Sequence, residues 1–562
     1  MWNAGGSDAA ILKQNSLLAM MRLHILSFVF LVLSPFGMHY SSPCHAATCG
    51  DGKADLRWGD LGDGTYANPV LNGDYSDPDV IRVGVKYYMT CSEFHFMGMP
   101  VLESDDMINW KIIGRVFSRI NLDGYSSMAK YGNGTWAPAL RYHDGRFWIY
   151  VCTPNEGLFM STATDPAGPW TPLHCVKSVA GWEDPCPLWD DDGQAYLGRS
   201  QLGGGPIIIH RMSADGRTLL DDGRTVYEGP VAEGTKLFKK DGYYYLSIPE
   251  GGVSTGWQTV MRSKSIYGPY AEKKRVLEQG STNVNGPHQG ALVDTPDGQW
   301  WFYHFQSTEP QGRVVHLQPV AWKDGFPEIG EDYDGNGVGE PVKVCAKPAT
   351  GVAAAVSAPQ ASDDFDKPEL GLQWQFNHNP HDGYWSLSDR EGWLTIKPRH
   401  ALKLRDAVNH LTQKTMGYRG VATVKIDFSR LDDGGRVGIG CIGRKHVGGG
   451  VAVAMRGGER VAELYMEADG AVETFGDVPS TTGGIIYIRL EIDAVNNIHR
   501  YLYSFDNKAF KPLGETFASG SGDWKGSSIG IYAYTTAEDG GSACFDEFAY
   551  LFDGPGGLAS SE

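Results

Sequence analysis

One turn-and-strand pattern recurs five times in the chain, and it restricts the fold more than any other feature. Each copy has a tight turn ending in glycine, with an aromatic residue within the next three positions, and in four copies the turn is Asp-Gly. Asp-Gly between alternating apolar runs is a strong signal for a β-hairpin. The five glycines lie about 50–60 residues apart. The copies are residues 83–88, 144–148, 192–196, 241–245 and 297–301.

A short apolar run precedes each turn, and a corner precedes each run. Two corners carry an aspartate followed by proline, Asp77 and Asp184, and the fourth corner carries Glu233. Units of this length with four short strands each have the spacing of β-propeller blades. The copies between about 65 and 325 therefore predict a five-bladed β-propeller. An irregular β-sandwich with chance Asp-Gly turns is the alternative.

The pattern changes in the last third of the chain. Residues 347–362 are rich in Ala, Pro and Ser, as linkers are. Residues 423–428 and 486–493 alternate cleanly between apolar and polar side chains, which predicts antiparallel strands with one solvated face. The chain is thus predicted to be all-β. The predicted parts are a leader over 1–47, a propeller over 60–345, a linker over 346–362 and a β-sandwich over 363–555.

The leader has the features of an export signal. Arg22 precedes an apolar stretch at 23–35, and Ala46-Ala47 offers a small-residue cleavage site. The stretch is short for a membrane span, so a secreted or periplasmic protein is predicted and a membrane anchor is the alternative. The nine cysteines show no CxxC spacing, so a zinc site is not expected. One or two disulfides are compatible with export, but their pairing cannot be read.

The net charge of the chain and the acidic residues at its corners together indicate which ligands and which reaction to expect. A net charge of −18 argues against nucleic acid or an anionic membrane surface as a partner, and it suits neutral ligands. In a propeller, the corners before the inner strands meet at one end of the central channel. Glycoside cleavage needs two carboxyl groups, and a third can raise the pKa of the acid. Asp77, Asp184 and Glu233 fit that need, although an aspartate before proline is often only a turn former.

Several motifs resemble those of glycoside hydrolase family 43. They include YSDPD at 75–79, WAP at 136–138, DP at 184–185, EG at 233–234 and HQG at 288–290, with an end-of-domain signature at 312–327. Residues 94–102 and 251–259 resemble the β-xylosidase and α-L-arabinofuranosidase branch. Residues 364–380 resemble the start of the concanavalin-like β-sandwich that follows such catalytic domains.

The resemblance implies an inverting exo-glycosidase that removes xylose or arabinofuranose from xylan or arabinoxylan oligosaccharides. By match, Asp77 is the general base, Glu233 is the general acid, and Asp184 tunes and orients Glu233. An endo- or exo-arabinan hydrolase of the same fold and a non-catalytic carbohydrate-binding protein are the alternatives. A retaining fructan-acting propeller enzyme would need motifs that this chain lacks. The sandwich either binds glycan or, as we prefer, narrows the entrance to the pocket.

The resemblance also implies a set of substrate contacts. Arg313 would grip sugar hydroxyls, and His288 matches an axial histidine that lies near a channel water or a calcium ion. Core packing is the alternative for each aromatic candidate. The candidates for walls around the sugar are Phe94, Phe96, Trp136 and Trp257. No cofactor is required, and calcium is left open as a structural ion. Glu183 departs from the family pattern, which has an apolar residue there, and the sequence does not decide where its side chain points.

Overall fold

The computed structural model describes residues 59–522 and 524–554, and this part of the chain is almost entirely β-structure. The predicted leader at residues 1–47 lies outside the described residues. Within the described ranges, no helix has the length and apolarity needed to cross a membrane. The helices there are three short 3₁₀ turns, Met128–Lys130, Leu404–Asp406 and Ser480–Thr482.

Five four-stranded antiparallel sheets form the first part of the fold, so the predicted five-bladed propeller is confirmed. In every blade the strands lie side by side in chain order. Strand β1, Thr65–Ala67, comes first. Blade one contains β2 Asp79–Val83, β3 Lys86–Thr90, β4 Pro100–Ser104 and β5 Lys111–Arg115. Blade two contains β6 Trp136–His143, β7 Arg146–Thr153, β8 Gly157–Ala163 and β9 His174–Ser178. Blade three contains β10 Trp182–Trp189, β11 Ala195–Gln201, β12 Ile207–Met212 and β13 Arg224–Tyr227. Blade four contains β14 Lys236–Lys240, β15 Tyr243–Glu250, β16 Trp257–Ser263 and β17 Glu272–Leu277. Blade five contains β18 His288–Asp294, β19 Trp300–Thr308, β20 Gly312–Lys323 and β21 Phe326–Ile329. Strand β22, Val344–Ala346, follows.

The repeated turns join the first two strands of the blades, as their chemistry predicts. In blade two, Asp144 and Gly145 have φ angles of 49° and 71°. In blade four, Asp241 and Gly242 have φ angles of 51° and 72°. Positive φ at both central residues is the type I′ geometry, which matches the right-handed twist of the paired strands. The hairpin register therefore follows from local sequence.

Contacts between blade five and blade one close the ring. Arg82 on β2 forms an ion pair with Asp294 on β18, with Nη2 and Oδ2 2.7 Å apart. Before blade one, Leu71 exchanges backbone hydrogen bonds with Val315 on β20. Strand β1 also pairs antiparallel with β22. Segments from both ends of the propeller thus complete the same closure.

A buried carboxylate ties three inner strands together near the channel. Asp79 on β2 has no exposed surface. Its Oδ2 lies 2.7 Å from Nη1 of Arg141 and accepts a hydrogen bond from the backbone N–H of Leu140. Its Oδ1 lies 3.1 Å from Nζ of Lys236. The two cations hold the pKa of Asp79 below its usual value, although burial opposes them. Blades one, two and four are therefore linked through one charge.

Replacing Asp79 with asparagine should destabilise the fold. The substitution keeps the side-chain size but leaves the partly buried Arg141 and the buried Lys236 without their counter-charge. Breaking a buried pair in this way costs about 3–5 kcal/mol. Chemical denaturation followed by tryptophan fluorescence measures the loss. The matched control is Asp144→Asn in an exposed turn, where we expect a change within about 0.5 kcal/mol. A loss at Asp79 no larger than that of the control would contradict this account.

The last part of the fold is a sandwich of two large sheets. One sheet has the order β23-β27-β36-β29-β30-β31-β32, with β26 parallel to β36, and the other has the order β24-β25-β37-β28-β33-β34-β35. The strands are β23 Gln375–Phe376, β24 Trp385–Ser386, β25 Leu394–Ile396, β26 Arg399–His400, β27 Leu411–Lys414, β28 Arg419–Asp427, β29 Gly435–Ile442, β30 His446–Arg456, β31 Glu459–Ala468, β32 Ala471–Asp477, β33 Ile485–Asp493, β34 Ile498–Ser504, β35 Lys511–Phe517, β36 Ser528–Thr535 and β37 Ala543–Phe552.

Strand β33 illustrates why this part forms a sandwich. Its residues alternate strictly between buried and partly exposed, with Ile486, Ile488 and Leu490 completely buried. The alternation that predicted a one-sided strand is therefore present in the structure, and the predicted β-sandwich is confirmed.

The sandwich packs on the propeller through polar contacts that the sequence did not reveal. Lys414 on β27 lies 2.9 Å from Oε2 of Glu93, and both side chains are buried. Arg115 on β5 donates hydrogen bonds to the backbone oxygens of Trp374 and Leu372. These groups come from segments about 250–320 residues apart in the chain. The two parts thus share one hydrogen-bonded interface.

Candidate active site

The five corners before the inner strands share one backbone shape. One residue at each corner has a left-handed φ, which is uncommon outside glycine and costs local strain. These second-position residues are Asp77 (53°), Ala137 (42°), Asp184 (54°), Gly234 (57°) and Gln289 (40°). In blades two, three and five the pairing register also shifts at the corner, as in a β-bulge. The corner shape therefore aims side chains rather than continuing the sheet.

The residue before each left-handed residue forms a second series around the ring. These first-position residues are Ser76, Trp136, Glu183, Glu233 and His288. The sequence placed Asp77, Asp184 and Glu233 on equivalent corners. The structure refines that placement, because Glu233 lies one position earlier than the two aspartates. Its equivalent in blade three is Glu183.

Asp77 is buried and held by two donors. Its Oδ2 accepts a hydrogen bond of 2.5 Å from the hydroxyl of Ser92, and its Oδ1 lies 2.6 Å from Nη1 of Arg313. Arg313 is itself only 13% exposed and lies over the ring of Phe305. The ion pair and the hydroxyl donor thus occupy one carboxyl oxygen each. The arrangement suits a group that acts as a base.

Asp184 is likewise buried, and three donors surround it. Its Oδ2 accepts hydrogen bonds from Ser200 at 2.5 Å and from the backbone N–H of Gly234 at 2.7 Å. Its Oδ1 accepts from Nε2 of Gln289 at 3.0 Å. Burial and the nearby Glu233 raise the pKa of Asp184, although the two donors on Oδ2 oppose the rise. Because Gly234 follows Glu233 directly, Asp184 fixes the backbone that carries Glu233.

Glu233 is the most accessible of the three acids, with 19% of its side chain exposed. Its Oε1 lies 2.8 Å from Nε2 of His288, which is buried. Its backbone N–H donates to the oxygen of Pro249. The carboxyl group thus has one firm partner and an open side, as a group that exchanges a proton with a ligand requires.

Two serines in this site were missed from the sequence. Ser92 lies just after β3 and Ser200 lies in β11, so each belongs to the second strand of its blade. Each donates to the aspartate of its own blade, 15 or 16 residues earlier in the chain. Aligning the repeats on their turn glycines brings the two serines within one residue of each other, so this comparison could have pointed to them.

The predicted aromatic walls fall into two groups. Phe94 and Trp136 pack edge to face, with ring centres 6.0 Å apart, and Trp136 is partly exposed. Trp257 is also partly exposed, and the guanidinium of Arg275 covers its ring at 3.9 Å. Phe96 differs, because it has no exposed surface and packs with Ile120 and Tyr125. Its environment is that of a core residue.

Metal and disulfide chemistry have little support in the described ranges. No group of three or more His, Cys, Asp or Glu side chains there is arranged to hold a metal ion. His288 contacts Glu233, and calcium stays an untested possibility. The seven described cysteines are free thiols: Cys91, Cys152, Cys175, Cys186, Cys345, Cys441 and Cys544.

Family models match both parts of the chain. The model for glycosyl hydrolases family 43 matches residues 66–327. The model for the beta xylosidase C-terminal concanavalin A-like domain matches residues 362–551. A relative from Xylanibacter ruminicola is 53% identical over 477 residues, which are 84% of this chain and 87% of that protein.

The chain belongs to glycosyl hydrolases family 43.

Other relatives of this family 43 protein carry named activities. A beta-xylosidase of Formosa agariphila is 38% identical over 555 residues, covering 89% of this chain and 92% of that protein. A non-reducing end alpha-L-arabinofuranosidase of Bacteroides ovatus is 29% identical, covering 79% and 85%. A family 43 crystal structure from Bacillus licheniformis aligns with a TM-score of 0.74 at 26% identity, covering 86% of this chain and 99% of that one. The family 43 chain is a glycosyl hydrolase with a concanavalin A-like module.

Proposed function

We propose that the protein is an inverting exo-glycosidase that removes xylose or arabinofuranose from xylan-type oligosaccharides. The names of the relatives support the substrate class. The observation that carries the mechanism is the difference between two carboxyl groups. Asp77 is buried against Arg313, whereas Glu233 is accessible and, within the described residues, has His288 as its one ion-pair partner. Asp77, held by its ion pair, acts as the base, and the accessible Glu233 acts as the acid.

These contacts suggest one role for each of the three acids. Asp77 removes a proton from a water molecule that attacks the anomeric carbon from one face. Glu233 protonates the leaving oxygen on the opposite face, and Asp184 orients Glu233 through the backbone of Gly234. Inversion needs room for the water, so we expect the carboxyl groups of Asp77 and Glu233 to lie about 6.5–9.5 Å apart.

A loop of the sandwich supports exo action. Trp524 is 62% exposed, and its ring centre lies 5.9 Å from the guanidinium of Arg313. The loop is anchored on the propeller, since the backbone N–H of Gly526 donates to Asp74 and that of Ser527 donates to the oxygen of Pro310. With its ring beside Arg313, Trp524 would restrict one side of the site. Such a restriction favours binding of the end of a sugar chain over binding across an internal linkage. The predicted leader adds export to this proposal.

Two assays test the proposal. The first compares p-nitrophenyl β-xyloside with p-nitrophenyl α-L-arabinofuranoside, and at least one of them should be cleaved. The second follows digestion of a xylo-oligosaccharide by proton NMR. The first sugar released should have the inverted anomeric configuration and should be a monosaccharide from the non-reducing end. Retention of configuration, or release of internal fragments, would overturn the mechanism, and no hydrolysis of any of these substrates would overturn the function.

A further inference from the structure

Glu183 is the acid in this site that the proposed mechanism does not use. It lies in blade three at the first position of its corner, which is the position that Glu233 occupies in blade four. Blades three and four are neighbours, and Glu183 directly precedes Asp184. Its side chain therefore belongs to the series that ends at the channel opening. Asp184, Glu233 and Asp77 all lie close enough to Glu183 to act on its charge, which places its carboxyl group beside the three acids.

The surroundings of Glu183 are unusual for a carboxyl group. The residue is 8% exposed, and its Oε1 is buried without a hydrogen-bond partner in the described residues. Within the same ranges, no basic side chain forms an ion pair with it, whereas Asp77 has Arg313. An unpaired buried polar atom costs about 1–3 kcal/mol, so each such atom in a native protein needs an explanation, and a functional role is one.

The charges around Glu183 are mostly of its own sign. Asp184, Glu233 and Asp77 lie close enough to disfavour its ionisation, and burial acts in the same direction, so the pKa of Glu183 is raised well above its usual value. The backbone of Gly204 opposes the rise only in part. The cations nearby are engaged elsewhere, since Arg313 pairs with Asp77 and Arg199 stacks on Trp182. His288 pairs with the carboxyl group of Glu233.

We propose that Glu183 is a substrate-binding residue that holds hydroxyl groups of the sugar lying between Asp77 and Glu233, and that it does so as an uncharged carboxyl group. This inference rests on the proposed function. A neutral carboxyl group offers one O–H donor and one C=O acceptor, whereas a carboxylate can only accept. Sugar hydroxyls both donate and accept, so the neutral group can pair with two adjacent hydroxyls.

Two substitutions separate this role from others. Glu183→Gln keeps the size, one donor and one acceptor, so kcat/KM should stay within about fivefold of the original value. Glu183→Leu keeps the volume but removes both partners, and kcat/KM should fall about 10- to 100-fold, as expected for one or two lost hydrogen bonds. The matched control is Glu328→Gln on an outer strand, with no expected change. Equal and large losses in Glu183→Gln and Glu183→Leu would overturn the proposal.

A series of deoxy substrates tests contact with hydroxyl groups directly. Aryl glycosides lacking one ring hydroxyl each are compared on the original protein and on Glu183→Leu. For the hydroxyl that Glu183 holds, the two losses should not add, because each removes the same hydrogen bond. If Glu183→Leu loses the same factor on every deoxy substrate as on the complete sugar, Glu183 touches no hydroxyl and the proposal fails.

The pH profile tests the charge state. If Glu183 is neutral, Glu183→Gln removes no charge, so the alkaline limb of kcat/KM should stay in place. If Glu183 is ionised, the substitution removes a negative charge near Glu233, and the limb should move to lower pH. A downward shift of about one pH unit would overturn the neutral state.

A spectroscopic measurement covers the case in which Glu183→Leu does not fold. The infrared difference spectrum between the original protein and Glu183→Gln at neutral pH should show the C=O band of a protonated carboxylic acid, and added xylose or arabinose should shift it. A carboxylate band, or no shift with either sugar, would overturn the proposal. If the original protein cleaves neither aryl glycoside, the proposed function fails. If it is active and Glu183→Leu matches it, only this inference fails.

Discussion

Replacing Asp77 with asparagine should abolish nearly all hydrolysis and leave the fold intact. Asparagine fits the left-handed backbone of this corner, where φ is 53°. Its amide can still pair with both neighbours, accepting from Arg313 and donating to the hydroxyl of Ser92. What it cannot do is take a proton from water. We therefore expect kcat to fall by about 10³-fold, which lies within the range for a positioned general base.

Reducing sugar released from xylo-oligosaccharides gives the activity, and thermal unfolding gives the stability. Asp144→Asn is the matched control, because it makes the same change at another residue with left-handed φ, in an exposed turn away from the corners. It should keep full activity. Full activity of the Asp77→Asn protein would show that Asp77 is not the base. A loss of activity that is due only to unfolding would be accompanied by a lower melting temperature.

The second large effect is expected at Glu233 and depends on the substrate. Glu233→Gln keeps a partner for His288 but cannot give a proton to the leaving oxygen. Xylo-oligosaccharides need that proton because their leaving group is a poor one, so kcat should fall by about 10³-fold. Aryl glycosides with good leaving groups depart without much assistance. The factor by which kcat falls on these aryl glycosides should therefore be at least about tenfold smaller than the factor on the natural substrates.

Comparing p-nitrophenyl glycosides with xylobiose on the same preparation of Glu233→Gln tests this difference. The alkaline limb of the pH profile should also disappear in the variant, because no proton remains to be lost from residue 233. Asp184→Asn tests a different role, since Asp184 acts by orienting Glu233 and not by giving the proton. Equal losses on both substrate types in Glu233→Gln would argue against Glu233 as the acid.

Local sequence was enough to predict the blades because hairpin geometry depends on few residues. Asp144-Gly145 and Asp241-Gly242 adopt positive φ at both positions, and the turn glycine has positive φ in all five copies, so the five turns could be counted without knowing what surrounds them. Strand β33 is similar, since strict alternation already separates its buried face from its exposed face. The blade number, the order of propeller and sandwich, and the corners that carry Asp77, Asp184 and Glu233 were all predictable in this way.

The arrangement within the site was less predictable, because it depends on one residue of register. Glu233 and Asp184 read as equivalent acids at equivalent corners, yet they occupy different positions in the structure. In an extended segment, a shift of one residue turns a side chain to the opposite face. The position of the left-handed residue at each corner decides which way the neighbouring side chains point. The sequence alone does not identify that position in blades two and four, where Ala137 and Gly234 take the place of an aspartate.

The sequence by itself thus determined the repeat, the two β architectures and the identities of the acids, since these follow from turn chemistry, alternation and motifs. Only the tertiary structure decided the partners that give each acid its character. Arg313 meets Asp77 across 236 residues, Gln289 meets Asp184 across 105 residues, and His288 meets Glu233 across 55 residues. It also decided that Glu183 is buried with no ion-pair partner in the part of the chain that the structure describes, while Phe96 lies in the core. The protonation preference of a carboxyl group depends on burial and on neighbouring charges, and the closing of the ring, not the local chain, brings those neighbours together.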